Sequence, residues 1–274
     1  MSTSSAARAP VPLDPSRSAG SPGVHAALSV IEHMVTQGPV ALGDLARELG
    51  VPKSTLHRVC TVLVDRGWAV RDEHGRFEPG IRALALGSRA NDLPIITGFR
   101  RRAGALLERH DETVCLAVLD TDDSVFIAIE ETSQPVRLQT WVGRRSPAFC
   151  SASGRVLLAA REPDAVTAQF GDGRPLVSPT GVRMRSIEDL HASLERTRRD
   201  GYAENHEETA IGLYTASVPI ANAAGRVLAA MTMCVPTSRM RAGRRERLLA
   251  DLADAGRALS RDVEWLPTYD AKRR

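Results

Sequence analysis

The chain has 274 residues, 43% of them hydrophobic, with 36 Lys/Arg against 33 Asp/Glu and a net charge of +3. That length suits two domains with buried cores, and so mild a basic balance does not by itself call for nucleic acid. No run reaches the roughly 18 apolar residues of a membrane helix, and Cys60, Cys115, Cys150 and Cys234 stand far apart with no CxxC pair, which fits a reducing cytoplasm rather than a zinc site.

Residues 1–22 are rich in Ser, Ala, Pro and Gly and lack the apolar segment of a secretory leader, so they read as a disordered tail. Helical periodicity begins at Val24, where Val24, Ala27, Leu28, Ile31, Met34 and Val35 form one apolar stripe that Gln37-Gly38-Pro39 stops. A short second helix carries Leu42, Leu45, Ala46 and Leu49 at the same spacing, with Gly50 just past its end for a left-handed cap. Pro52 suits the first turn of a third helix, in which Leu56, Val59, Cys60 and Leu63 point inward and after which Gly67 stops the chain. Residues 68–71 and 76–78 read as two short strands around the turn Asp72-Glu73-His74-Gly75.

Three short helices followed by a hairpin make a winged helix-turn-helix over residues 23–80. Such a unit lays its third helix in the major groove of double-stranded DNA and reads bases with residues near that helix's N-terminus. Ser54, Thr55 and Arg58 fall on the outward side there, and Lys53 and His57 flank them as phosphate contacts. Arg71, His74 and Arg76 on the wing add backbone or minor-groove contacts. Acids and bases nearly balance over residues 23–88, so the polarity of this domain must be local, with Glu32, Asp44 and Glu48 away from the DNA. A protein-interaction winged helix stays open on that ground.

Residues 81–110 read as linker helices, the second with Ile96, Phe99, Ala103 and Leu106 on one side. The period then changes. TVCLAVLD, SVFIAIEE and PVRLQTWVG read as strands, SASGRVLLAAREP as a helix closed by Glu162-Pro163, residues 186–199 as a charged helix, LYTASVPI and GRVLAAMTMCV as strands, and residues 239–259 as a final amphipathic helix. Mixed order without strict βαβ alternation predicts an α+β domain with a largely antiparallel sheet over residues 111–266, ahead of a basic tail at 267–274.

Small residues at the start of SASGRVLLAA leave backbone N–H groups accessible at a helix N-terminus, where a carboxylate is a natural guest, unless Ser151 merely caps its own helix. In LYTASVPI, Ala216, Val218 and Ile220 share one face and Leu213, Thr215 and Ser217 the other. In GRVLAAMTMCV, Leu228, Ala230, Thr232 and Cys234 share a face. Small polar groups beside apolar ones suit a compact pocket for a small polar molecule. Leu138 and Trp141, just ahead of the helix, are candidate apolar walls.

The whole pattern resembles the IclR family of bacterial transcription regulators. The matching segments are VHAALSVIEHMV, ALGDLARELGVPKSTLHRVCTVLVDRGWA, FEPGIRALALGS, TVCLAVLDTDDSVFIAIEE, AFCSASGRVLLAA, DGYAENHEETAIGLYTASVPI and GRVLAAMTMCVP, in that order over residues 23–264. The resemblance implies a winged helix, a linker helix and a GAF/profilin-like effector domain. It also implies a homodimer or homotetramer on a palindromic operator, and a small organic effector. It places ligand contacts at Ala152, Ser153, Asn205, Leu213, Thr215, Thr232 and Cys234, where Asn205 stands in place of a family Asp. Ala41 replaces the Ser or Thr that the family often has before the second helix, a lost N-cap that typically costs about 1 kcal/mol.

Two other readings compete. His206-Glu207-Glu208 puts a His beside two carboxylates, but neighbours on an extended chain point apart and no GxSxG, P-loop or GxGxxG is present, so the sequence calls for no enzyme and no cofactor. Cys150 and Cys234 both border the expected pocket, so a redox-responsive regulator is the alternative if the two thiols meet.

Overall fold

The computed structural model describes residues 21–184 and 186–266. The predicted tails therefore lie largely outside the described residues. The chain forms two compact units that divide between Asp92 and Leu93.

The first unit holds α1 (Pro22–Gln37), α2 (Leu42–Leu49), α3 (Lys53–Asp65), the hairpin β1 (Ala69–Arg71) and β2 (Phe77–Pro79), and α4 (Ile81–Asn91). Gly50 takes the left-handed conformation expected of it (φ 64°), which turns the chain from α2 into α3. Pro52 is the N-cap of α3 rather than part of its first turn. Val30, Met34, Leu45, Leu56, Cys60, Leu63, Ala69 and Phe77 pack into one core, and Val40 bridges to Phe77 as a short third strand of the wing. One expectation is overturned. Helix α1 buries Ala26, Ser29, Val30, His33 and Met34, while Val24, Leu28 and Val35 of the predicted stripe are more than half exposed. Both sides of this helix carry apolar residues, and α2, α3 and β2 meet the side with Val30 and Met34.

The second unit begins with α5 (Pro94–His110). Read from sequence as a linker, this helix is a core element: Ile96, Phe99, Ala103 and Leu106 are buried against the sheet and against α9 (Arg244–Asp262). The sheet is antiparallel throughout, with strand order β5-β4-β3-β10-β9-β8. Its strands are β3 (Thr113–Asp120), β4 (Asp123–Glu130), β5 (Arg145–Pro147), β8 (Ala203–His206), β9 (Leu213–Ala221) and β10 (Val227–Pro236). One face, with Tyr214, Ala216, Val218, Ile220, Met231 and Met233, packs on α5 and α9. The opposite face is covered at one end by α6 (Ala152–Ala159), behind which lie α7 (Pro163–Phe170) and α8 (Ile187–Asp200). A two-stranded ribbon, β6 (Leu176–Val177) with β7 (Arg183–Met184), completes the unit.

Three expectations are corrected here. Pro163 opens α7 at its first turn and does more than close the preceding helix. Residues 203–206 form an edge strand that the sequence left as a polar segment. PVRLQTWVG is no strand but part of an arch spanning residues 131–144, whose end alone is bonded to the main chain of β4: Gly143 N donates to Phe126 O (2.7 Å) and Phe126 N to Arg144 O (3.0 Å).

Candidate functional site

Helix α3 presents its polar residues on the side away from the core. Lys53, Ser54, His57 and Arg58 are exposed and Thr55 is half-buried. Ser54, Arg58, Thr61 and Asp65 form one outward row at helical spacing, with Val62 beside it and 55% exposed. Among the described residues Lys53 and Arg58 have no hydrogen-bond or ion-pair partner, so both charges are available. Thr61 and Val62 were not singled out from sequence, although i+3 and i+4 from Arg58 point to them. Val62 offers an apolar contact of the kind a thymine methyl accepts.

The wing arginines stand differently. Arg76 pairs with Asp72 (2.8 Å), whose carboxylate also accepts from His74 N (2.9 Å) and Arg76 N (2.7 Å), which closes the turn. The Arg71 guanidinium lies 5.6 Å from the Phe77 ring centroid, and its Nε donates to Gly75 O. Both side chains brace the hairpin in the free protein. His74 is exposed at its tip. His57 faces the hollow between α3 and the wing, beside Arg71 and Phe77.

In the second unit most of the expected effector contacts gather on the sheet face opposite α5 and α9. Ser151 caps α6 by accepting from Gly154 N (3.2 Å). The cap leaves the first two helical amides, Ala152 N and Ser153 N, without an acceptor among the described residues. Ser153 Oγ meets Ser124 Oγ on β4 at 2.6 Å, which fixes the helix over that strand. On the floor, Cys234 is paired in register with Thr215, and Thr215 with Asn205. Thr232 is bonded through its hydroxyl to Ser217 (2.9 Å). Thr215 is 7% exposed, and its hydroxyl, which is not fully enclosed, has no partner among the described residues. At the far end Leu138 and Ala210 pack onto Cys115, Ala117, Phe126, Leu213 and Cys234.

The structure sorts the expected contacts. Ala152, Ser153, Leu213, Thr215, Thr232, Cys234 and Leu138 lie along this face. Asn205 is fully buried and committed: its Nδ2 donates to Cys150 O and its Oδ1 accepts from Glu208 N (3.2 Å), so it positions the start of α6. Trp141 is 45% exposed, with the Arg144 guanidinium over its ring, and is not a pocket wall. The arch alternates, Leu138 and Thr140 inward, Gln139 and Trp141 outward, a phase that sequence could not set without knowing the arch's anchors.

The two competing clusters are also resolved in space. His206 packs against the Tyr214 ring (centroids 5.0 Å apart), and Glu208 pairs with the buried Arg155 (2.6 Å). These groups brace the edge of the sheet. Cys150 and Cys234 belong to different buried clusters, and the thiol beside Cys234 is that of Cys115. Burial pushes the Cys150 thiol up to about 12 and the Cys115 thiol well above its ordinary value, to which the neighbouring Cys234 adds. Buried thiols of this kind are poor nucleophiles.

Two family models match the chain: "IclR helix-turn-helix domain" over residues 26–73 and "Bacterial transcriptional regulator IclR C-terminal" over residues 87–261. The chain belongs to the IclR family. It is a DNA-binding transcriptional regulator with the winged helix and α+β domain described above. Among curated IclR relatives, KdgR of Escherichia coli is 28% identical over 86% of this chain and 90% of its own. The acetate operon repressor of Salmonella typhimurium is 31% identical over 75% of this chain and 76% of its own. The fold matches an IclR regulator from Alicyclobacillus acidocaldarius with a TM-score of 0.80 at 24% identity, covering 89% of this chain and 99% of that one. It also matches an IclR homologue from Microbacterium hydrocarbonoxydans complexed with 4-hydroxybenzoate (TM-score 0.75, 24% identity, 88% and 98% covered).

Proposed function

We propose that this regulator binds a palindromic operator as a homodimer or a dimer of dimers in the cytoplasm, and that a small carboxylate in the second unit modulates that binding. The observation that carries the effector reading is the pair of unengaged amides at Ala152 and Ser153, buried above a sheet face that also holds the free Thr215 hydroxyl. Helix amides and the helix dipole favour an anion, and the apolar far end favours a compact organic body. A relative bound to 4-hydroxybenzoate supports the same chemistry. The protein acts by binding rather than catalysis.

The test is a thermal-shift screen of the full chain against benzoates, oxo-acids and sugar acids. A ligand at one hundred times its Kd adds about 2.7 kcal/mol of stability, so a binder shows plainly. A panel without any shift would remove the carboxylate reading.

On DNA, Arg58 meets a base, Lys53 a phosphate, and Ser54 and Thr55 a base edge or phosphate. Arg58→Ala is expected to cost about 1–3 kcal/mol at one position of each half-site, read by titrating single-base variants of the operator. Equal weakening on operator and random DNA would show Arg58 to be a phosphate contact. Arg71 and Arg76 reach DNA only by leaving their places in the hairpin.

The dimer reading rests on apolar surface within the first unit. Val24, Leu28 and Val35 on α1 are exposed, as are Ile81, Leu84 and Leu86 on α4, a helix that buries none of its residues. Surface of that kind marks an interface. Sedimentation as a monomer at micromolar concentration would rule it out. Half-site spacing is the variable an effector changes, since a dimer presents its two helices one DNA turn or a multiple apart, and differential affinity for two spacings supplies the coupling.

A further inference from the structure

Among the described residues, two buried side-chain polar atoms lack a hydrogen-bond partner, and one of them is the hydroxyl of Thr140. Thr140 is 8% exposed and lies in the arch between β4 and β5. A buried hydroxyl left unpaired is unfavourable and uncommon in native proteins. A water could relieve it only where several polar groups converge.

Three observations give its direction. The arch is held to β4 by main-chain bonds between Phe126 and both Gly143 and Arg144, and a turn closed by Arg144 N on Trp141 O leads back into residues 138–141. Burial alternates along them, and Thr140 shares the inward side with Leu138. Leu138 in turn packs on the buried cluster of Cys115, Ala117, Phe126, Leu213 and Cys234, as Ile129 does, and these surroundings are apolar or sulfur-bearing. Thr140 thus lies toward the apolar end of that sheet face. The start of α6 lies toward the other end of β4, where Ser153 is bonded to Ser124.

We propose that Thr140 is a specificity-determining residue of the effector pocket, its hydroxyl bonding a polar group on the end of the effector that faces the arch. The inference rests on the effector reading above and deepens it: the ligand carries a carboxylate at the α6 end and a hydroxyl or carbonyl at the arch end. An effector without the second group leaves Thr140 unpaired and binds less well, the usual basis for rejecting an analogue that lacks one polar atom.

The experiment uses the full-length protein with Thr140→Val, which keeps the shape and removes the hydroxyl, and Thr140→Ser, which keeps the hydroxyl. Binding is measured by titration calorimetry with paired probes that differ by one oxygen: benzoate and 4-hydroxybenzoate, propionate and lactate, butyrate and 3-hydroxybutyrate. Melting of each ligand-free variant is measured in parallel. The wild type is expected to prefer the oxygenated member of the pair that fits. Thr140→Val is expected to lose about tenfold in affinity for that member, with the other unchanged, and Thr140→Ser to keep the preference. Ligand-free Thr140→Val is expected to melt about 2–4 °C higher, because an unpaired buried hydroxyl has been removed. An unchanged preference in Thr140→Val overturns the proposal and leaves the carboxylate reading standing, as does a lower melting point for the free variant, which would show the hydroxyl already satisfied. If no probe binds the wild type, both fall.

Discussion

Glu112→Gln is expected to destabilise the second unit by about 3 kcal/mol. The Glu112 carboxylate is 1% exposed and sits between two guanidiniums. Arg239 donates Nε at 2.7 Å and Nη2 to its two oxygens, and Arg244 donates Nη2 at 2.8 Å. Those arginines also bind main chain: Arg244 to His110 O (3.0 Å) at the end of α5, and Arg239 to Val136 O (2.6 Å) in the arch. An amide in place of the carboxylate keeps one acceptor and turns a donor toward a cation, leaving two sheltered charges without their counter-ion. The cost is largely that uncompensated charge rather than the worth of the pair itself. Loss of the Arg239 tether at Val136 also loosens the arch that carries Leu138 and Thr140, so effector affinity should fall as well. Urea unfolding followed by tryptophan fluorescence measures the first effect, and ligand titration the second. A change below about 1 kcal/mol would show that the arginines find other anions, such as Asp111 next in sequence. That carboxyl is itself held below its ordinary range by hydrogen bonds from Thr132 and Gln134 at the base of the same arch.

Gly154→Ala should be as damaging, for a steric reason. A Cβ at this position would lie 2.3 Å from both Cα and O of Ala148. These are backbone atoms, so no side-chain rotation relieves the overlap and α6 must lift away from residues 147–150. Overpacking of this kind costs about 1–3 kcal/mol and at times more. The same movement shifts the amides of Ala152 and Ser153, so response to any effector should vanish even where the protein still folds. Gly104→Ala is the matched control. Gly104 lies within α5, and its added Cβ meets nothing within 4 Å. There the change should stabilise by about 0.5–1 kcal/mol, through helix propensity alone. Equal effects at the two positions would mean that the close approach at Ala148 relaxes without cost.

Local sequence rules carried much of this protein. Gly50, placed one residue beyond the stripe of α2, is left-handed because a helix end wants a residue without Cβ there. Leu56, Cys60 and Leu63 are buried because their spacing puts them on one side of α3, which by the same geometry turns Ser54 and Arg58 outward. Alternation along β9 and β10 assigned Ala216, Val218 and Met231 to one face and Thr215 and Thr232 to the other before any partner was known. These features depend on periods of 3.6 and 2 residues, and a few neighbouring side chains are enough to set them.

Tertiary structure decided what periodicity leaves degenerate. Helix α1 has apolar residues on two sides, and only the shapes of α2 and α3 select Val30 and Met34 for the core over Val24 and Leu28. Residues 135–143 have strand-like composition, but β4 pairs only with their end, so they arch. The anchors at Phe126 then set the phase that turns Thr140 in and Trp141 out. Asn205 holds Cys150, a residue 55 positions earlier that no local pattern pairs with it. Cys234 lies beside Cys115 because β10 and β3 are neighbours in the sheet, an adjacency no spacing in the chain encodes. Glu112, one charge among 33 acids, becomes a buried keystone only because Arg239 and Arg244 arrive from the far end of the chain. Local geometry fixes which way a side chain points relative to its own element, and long-range packing fixes what it meets.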